Sequence, residues 1–285
     1  MFYIVKKPIG ISSNLVSKIL KRVLDVPKIG FAGTLDPLAT GLMIIGTEWS
    51  SRLFPLLDNL SKTYTATIRL DGTTPSYDLE HPVEILKIDQ KIIDTFTRES
   101  LESVIQKNFT GEIMQSPPLY SAVWIDGQRA YDRARKWEDI GEIQQKKRTI
   151  YSFRIISYTW PALKCEIQVS HGTYIRSIAR DMGYILWTSG YLAELERTAI
   201  GHISLEGREW VQHNDIFYAP LSHEELFPKI PVLELSQENR KHLRLWSTPI
   251  KTHEKDGYYF TVYEDNSYGL LEAREGQLFP LKNAV

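Results

Sequence analysis

The strongest constraint on this chain is a loop that cannot be helix or ladder strand. Residues 33–41 read Gly-Thr-Leu-Asp-Pro-Leu-Ala-Thr-Gly. Pro37 lacks a backbone donor and pushes Asp36 out of the helical region, so that residue is held extended. Gly33 and Gly41 permit tight turns or the close approach of another backbone. Before the loop, Leu15, Val16, Ile19, Leu20 and Val23 recur at helical spacing, with Lys18, Lys21 and Arg22 mainly on the other side and Ser12 or Ser13 as cap. After it comes an apolar segment, 42–45. The result is one carboxylate on a stiff connection between a basic helix and a strand. Alone, an Asp-Pro pair is more often a turn initiator than a catalytic group.

Other segments sort by period. Residues 2–5 read as a short buried strand, and 64–70 alternate, with Tyr64, Ala66, Ile68 and Leu70 on one face. Helical patterns cover 99–107, a basic stretch at 127–137, and 173–187, the last with Ile175, Ile178, Ala179, Met182 and Ile185 as its apolar stripe. Two prolines bar regular helix from 115–121, and 150–158 and 163–169 read as neighbouring strands joined near Pro161. From about Pro231 the pattern changes to short strands and turns, which predicts a small β-rich second domain. At roughly 150 residues per domain, 285 residues suit about two.

Charge sharpens the functional reading. The whole chain carries a formal charge of -1, which argues superficially against a nucleic-acid partner. By segment it is uneven: residues 1–30 and 120–180 are each +5, while 57–102 is -4 and 193–236 is -5. Basic segments suit a phosphate backbone. For a single run of lysines, a solvated face is the commoner explanation. A single cysteine, Cys165, excludes an intrachain disulfide and suits a reducing compartment. The seven histidines are too dispersed for zinc-binding spacings, and no apolar run approaches a membrane span. These features lead us to expect a cytoplasmic protein without metal or membrane.

Six strings, taken together, go further: KKPIGISSN at 6–14, GTLDPLATGLM at 33–43, SKTYTATIRL at 61–70, QSPPLYSA at 115–122, HGTYIRSIARDMG at 171–183 and LERTAIG at 195–201. In this order they resemble the TruB family of pseudouridine synthases over about residues 1–205. The C-terminal part, with LELSQENRKHL at 233–243, is more weakly similar to a degenerate PUA-like RNA-binding domain. The resemblance implies an α+β pseudouridine synthase fold, with a mixed, mainly antiparallel central sheet flanked by helices. It implies a catalytic domain at 1–230 and a PUA-like domain at 231–285. It further implies isomerisation of one uridine in the TΨC loop of tRNA (position 55), with no cofactor and no obligate protein partner.

Residue by residue, Asp36 matches the family's catalytic aspartate, Tyr64 its active-site tyrosine and Arg176 the arginine that pairs with the aspartate. Arg176 opens a predicted helix, where a cation opposes the helix dipole, so a carboxylate partner makes sense there. Asp78 matches an aspartate of the same ion-pair network, and Leu195 a leucine of the uracil pocket. Tyr120, Lys7, Lys28 and Arg129 are implied RNA contacts. Lys6, Lys7, Lys18, Lys21, Arg22 and Lys28 form one candidate basic rim, and 128–154 (Arg129, Arg133, Arg135, Lys136, Lys146, Lys147, Arg148, Arg154) the other. The chain departs from the family pattern at Phe31, where histidine is usual at the base-flipping position, at His81, where glycine is usual, and at Trp124, where lysine is usual. Three other readings stay open: a synthase acting on another RNA such as ribosomal RNA, a tRNA-folding chaperone, and a glycosylase that admits water.

Overall fold

In the computed structural model, the residues described are 1–121, 124–125, 128–129, 144–246, 248–263 and 268–281. An 11-stranded sheet dominates. Its main path begins with Val211–His213, Ile216–Leu221, Phe2–Lys7, Thr40–Thr47 and Tyr191–Ile200, then passes through Lys62–Arg69, Ala162–Val169 and Lys146–Thr159 to Gly111–Gln115. Every pairing is antiparallel except that of Tyr191–Ile200 with Thr40–Thr47, where Glu196 faces Thr40 and Arg197 faces Gly41. The sheet is thus mixed and mainly antiparallel, as the resemblance implied.

The strand after the loop is buried on both faces, which explains its unbroken apolar run. Leu42 and Ile44 join a core with Phe2, Ile4, Leu53, Leu57 and Phe227. Met43 and Ile45 point the other way, to Val16 and Leu20 of the helix Ser13–Val23. A separate core covers the far half of the sheet, where Leu101 and Ile105 of the helix Arg98–Asn108 meet Ile178, Ala179 and Met182 of the helix Ile175–Ile185. Tyr64 and Leu195 pack against this core and against the one beneath Ser13–Val23, so they mark the seam between the two.

The predicted helix caps resolve cleanly. Ser12 caps the first helix, its side chain accepting from the Leu15 amide at 3.2 Å, which leaves Ser13 for another task. The basic helix read at 127–137 needs correction at its start: Gln128–Arg129 pairs as a strand with Trp124–Ile125. The rest of that stretch, with the side chains of Trp124 and Arg129 and residues Arg133, Arg135 and Lys136, lies outside the described residues.

Beyond residue 231, a four-stranded sheet, with Tyr268–Arg274 inside it and Gly257–Val262 at one edge, encloses a small core of Leu243, Leu271, Ala273 and Leu278. The helix Gln237–Trp246, not foreseen from the turn-rich pattern, supplies Leu243. Phe260 and Leu270 face instead toward the main sheet and join Phe2 and Phe227.

Candidate active site

The loop is fixed from three sides before any chemistry is considered. From the helix, the Ser13 hydroxyl donates to the Leu35 carbonyl and accepts from the Leu35 amide, both at 2.8 Å. From the first strand, Lys7 donates to the carbonyls of Pro8 (2.8 Å), Ile11 (2.7 Å) and Pro37 (3.1 Å). Lys7 is fully buried. Burial pushes its ammonium down to about 8, against the opposing pull of Asp36. Lys7 therefore sits inside the loop and not on the phosphate-facing rim where the sequence reading put it.

From the sheet comes Arg197, a residue quoted within a motif but not singled out by sequence reasoning. It is 1% exposed, and it donates from Nε to the Leu42 carbonyl at 2.7 Å and from Nη2 to the Gly33 carbonyl at 2.9 Å. These two carbonyls flank the loop, so one guanidinium ties its ends together. Gly41 is needed at this crossing: its φ is +100°, and a Cβ there would lie 2.3 Å from the Arg197 carbonyl oxygen. The signal available in the sequence was an arginine on a strand whose neighbours are mostly apolar.

Held this way, Asp36 faces Arg176, with Oδ2 2.9 Å from Nη2. Arg176 is the second residue of the helix Ile175–Ile185, and its other donors reach the Ser76 carbonyl (3.1 Å) and the Tyr120 carbonyl (3.0 Å). Its Nε lies 3.7 Å from Asp78 Oδ2. The cation disfavoured at a helix start thus has two carboxylates. Removal from water pushes the Asp36 carboxyl above its ordinary range, with Asp78 adding to the rise and Arg176 and Lys7 pulling it back.

Asp78 is itself clasped by its loop. Its Oδ1 accepts from Ser76 Oγ at 2.6 Å and from the Glu80 amide at 3.0 Å. The segment carrying Tyr120 is clipped to the helix start by Gln115, whose side chain bonds the Tyr174 amide (2.8 Å) and carbonyl (3.1 Å).

Asp36, Asp78, Arg176 and Leu195 line one open cleft of about 260 Å³, together with Leu38, Ala39, Leu192, Ala193 and Glu194. That space is continuous with solvent, so the cleft is accessible from outside. Asp36, Asp78, Arg176 and Glu194 bring charge to it, and Leu38, Ala39, Leu192, Ala193 and Leu195 bring apolar surface. Tyr64 stands at the core seam beside Leu195, half-buried, opposite Arg197 in the ladder. Phe31 lies partly buried against the core beneath the first helix, opposite Ile45. Lys28, Lys18, Lys21 and Arg22 are exposed. Among the described residues no cluster of three or more His, Cys, Asp and Glu is placed to hold a metal, and no helix is long and apolar enough to cross a membrane.

The architecture is the pseudouridine synthase fold. Two solved structures, "Structure of H/ACA RNP bound to a substrate RNA containing 2'-deoxyuridine" and "Crystal Structure of a Cbf5-Nop10-Gar1 Complex", each cover 95% of this chain and 78% of theirs, with TM-scores of 0.60 and 0.62 at 18% and 21% identity. Residues 21–175 match the TruB family pseudouridylate synthase (N-terminal domain). The chain is 41% identical over 196 residues to the tRNA pseudouridine synthase B of Bacteroides fragilis, spanning 66% of this chain and 82% of that one. For the proteins of that name from Parabacteroides distasonis and Chloroherpeton thalassium, identities are 42% over 200 residues (68% and 83% covered) and 37% over 219 residues (74% and 87% covered). The chain belongs to the TruB family of pseudouridylate synthases, and it is an isomerase.

Proposed function

We propose that this protein converts a uridine of tRNA to pseudouridine, that the target is the TΨC-loop uridine at position 55, and that Asp36 is the catalytic carboxylate. The observation that carries this reading is the Asp36–Arg176 ion pair at the wall of an open, partly apolar cleft. The names of the relatives, each a tRNA pseudouridine synthase B, support the choice of RNA.

The reaction breaks the C1′–N1 bond and joins C1′ to C5 of the same uracil; N1 gains a proton and C5 loses one, so nothing is oxidised and no group is imported. The electron-poor sugar carbon needs a negative partner, which a carboxylate supplies by bonding or by field. Arg176 orients Asp36 and favours its ionised form. Leu38, Ala39, Leu192 and Leu195 offer apolar walls against which a detached uracil can turn. Tyr64 is assigned to pack against the base or relay a proton. A loop uridine is stacked and must be extruded to enter such a cleft; Phe31 is assigned to fill the gap by stacking. In the same reading 1–230 is the catalytic domain and 231–285 a PUA-like RNA-binding domain.

The test is direct. Purified protein is incubated with a TΨC stem-loop and with a ribosomal RNA fragment, and pseudouridine is mapped in each. We expect product at position 55 of the tRNA fragment and none from Asp36→Asn, which still binds the RNA. Product only on ribosomal RNA, undiminished product from the variant, or release of free uracil would each overturn the assignment.

A further inference from the structure

His81 stands where the family pattern led us to expect glycine, and the structure connects it to the ion pairs at Asp36. The Ser76 hydroxyl oxygen lies 2.6 Å from Asp78 Oδ1 and 2.9 Å from His81 Nδ1. A hydroxyl has one proton, and an ionised carboxylate can only accept. The Ser76 proton therefore goes to Asp78, and the second contact requires His81 Nδ1 to carry a hydrogen and donate it. Donors therefore converge on Asp78 from two sides: His81 Nδ1–H donates to Ser76 and Ser76 to Asp78 Oδ1, while Arg176 Nε faces Asp78 Oδ2 at 3.7 Å and Arg176 Nη2 donates to Asp36 Oδ2 at 2.9 Å. Ser76 and Asp78 are buried, so water does not replace these partners freely. The His81 ring also packs on that of Tyr120, with centroids 4.7 Å apart, and the Tyr120 carbonyl is another acceptor of Arg176. Both contacts of His81 converge on one guanidinium.

We infer that His81 is a positioning residue for the isomerase site. Two carboxylates compete for Arg176. Donors that satisfy Asp78 from behind lower its demand on the guanidinium, and hydrogen bonds in series polarise one another. With the Ser76–His81 pair and the Glu80 amide on Oδ1, Asp78 stays at the longer distance and Arg176 holds Asp36. A glycine at 81 would supply neither the donor nor the ring. This inference rests on Asp36 being the catalytic carboxylate.

The experiment uses the full chain and a TΨC stem-loop under single-turnover conditions at saturating protein. His81→Phe keeps a ring against Tyr120 and removes the donor; His81→Asn restores a donor without the ring. We expect His81→Phe to slow the step by about tenfold, the loss of one modest hydrogen bond, with RNA affinity and thermal midpoint unchanged, and His81→Asn to recover most of the rate. A His81→Phe rate within about twofold of the parent, a loss shared equally by affinity or folding, or a loss that His81→Asn does not recover overturns the relay. If His81→Phe does not fold, Ser76→Ala breaks the same relay at its middle and must reproduce the slow rate at unchanged affinity. Asp36→Asn is run alongside: full activity in that variant would sink the catalytic assignment, and this inference with it, whereas an inactive Asp36→Asn beside an unaffected His81→Phe would sink the relay alone.

Discussion

Arg176 is 5% exposed in its side chain and its partner Asp36 is 40% exposed, at 2.9 Å. The buried partner is the cation, and the carboxylate is the one presented to the cleft. This asymmetry suits a group that must be both held and reachable. It also sets the pH behaviour of the site. Asp36 lies above the ordinary carboxylate range because the surrounding protein displaces part of its hydration, and Arg176 limits the rise. In the role proposed for it Asp36 acts ionised, so the rate should be lost as pH falls through this raised value. In Arg176→Gln the restraint is gone, and the acid limb moves further up. Single-turnover rates against pH report the limb; a variant whose limb stays in place would contradict the role given to Arg176.

Arg197 makes a different prediction, because it touches the loop backbone and not the cleft. Arg197→Leu leaves the Gly33 and Leu42 carbonyls without their donors. Each buried acceptor so stranded costs about 1–3 kcal/mol. The unfolding free energy should fall by a corresponding roughly 2–6 kcal/mol, read as a lower denaturant midpoint with the slope unchanged, and the rate should fall with it, since the loop that carries Asp36 is no longer tied at both ends. Arg197→Lys can replace only part of this fork, and should lie between. A stable but slow Arg197→Leu protein would mean the guanidinium acts on the chemistry directly.

These two arginines show what was legible in the sequence. Arg176 could be picked out because it matches the family's arginine that pairs with the aspartate of the Pro37 loop, and a cation in a helix first turn suits such a partner. Ser13–Val23, Lys62–Arg69 and Ile175–Ile185 were legible because their apolar periods are regular. Arg197 and Lys7 were not, because a buried charge is satisfied by carbonyls that only the tertiary fold brings together; Lys7 in the sequence looks like any rim lysine. The parallel contact at Gly41 and Arg197 is equally invisible, since it joins residues 155 or more positions apart along the chain in the same corner of the sheet. The helix Gln237–Trp246 was missed because its pattern is short and mostly polar, with Leu243 as its fully buried contact.

Lys18, Lys21 and Lys28 are exposed, and so are Lys147 and Arg154, but Lys147 is already 2.8 Å from Glu112 and Arg154 is 3.1 Å from Glu166. RNA affinity falls with salt by about 0.7–0.9 logarithmic units per phosphate neutralised. Replacing Lys21 or Lys28 by alanine should weaken binding and lower that slope by about one where the side chain meets a phosphate. Lys147→Ala should change it less, because a paired cation brings less free charge. Lys7→Met should leave the slope alone and lower stability. A slope that falls for Lys7→Met as much as for the exposed lysines would return Lys7 to the rim.

His223 links the first strand, the main core and the C-terminal sheet, and it makes their union sensitive to acid. Its ring lies 5.1 Å from that of Phe2, stacks on Trp49 at 5.6 Å, and meets Phe260 edge-on at 5.7 Å. Burial among these rings lowers its pKa to about 4, with the nearby N-terminal ammonium adding to the shift. The unfolded chain, with an ordinary value of 6.5, takes up the proton first as pH falls. Stability is therefore lost progressively between about 6.5 and 4, by on the order of 2 kcal/mol once residual solvent screening is allowed for. In His223→Phe that contribution to the slope disappears. The difference in unfolding free energy between the parent and the variant should then grow in the variant's favour across this window, whatever their offset at neutral pH. Carboxylates titrating in the same range affect both proteins alike and cancel. A difference that stays constant from pH 6.5 to 4 would mean that His223 is protonated within the folded core, and that Phe260 docks against a cation instead of a neutral ring.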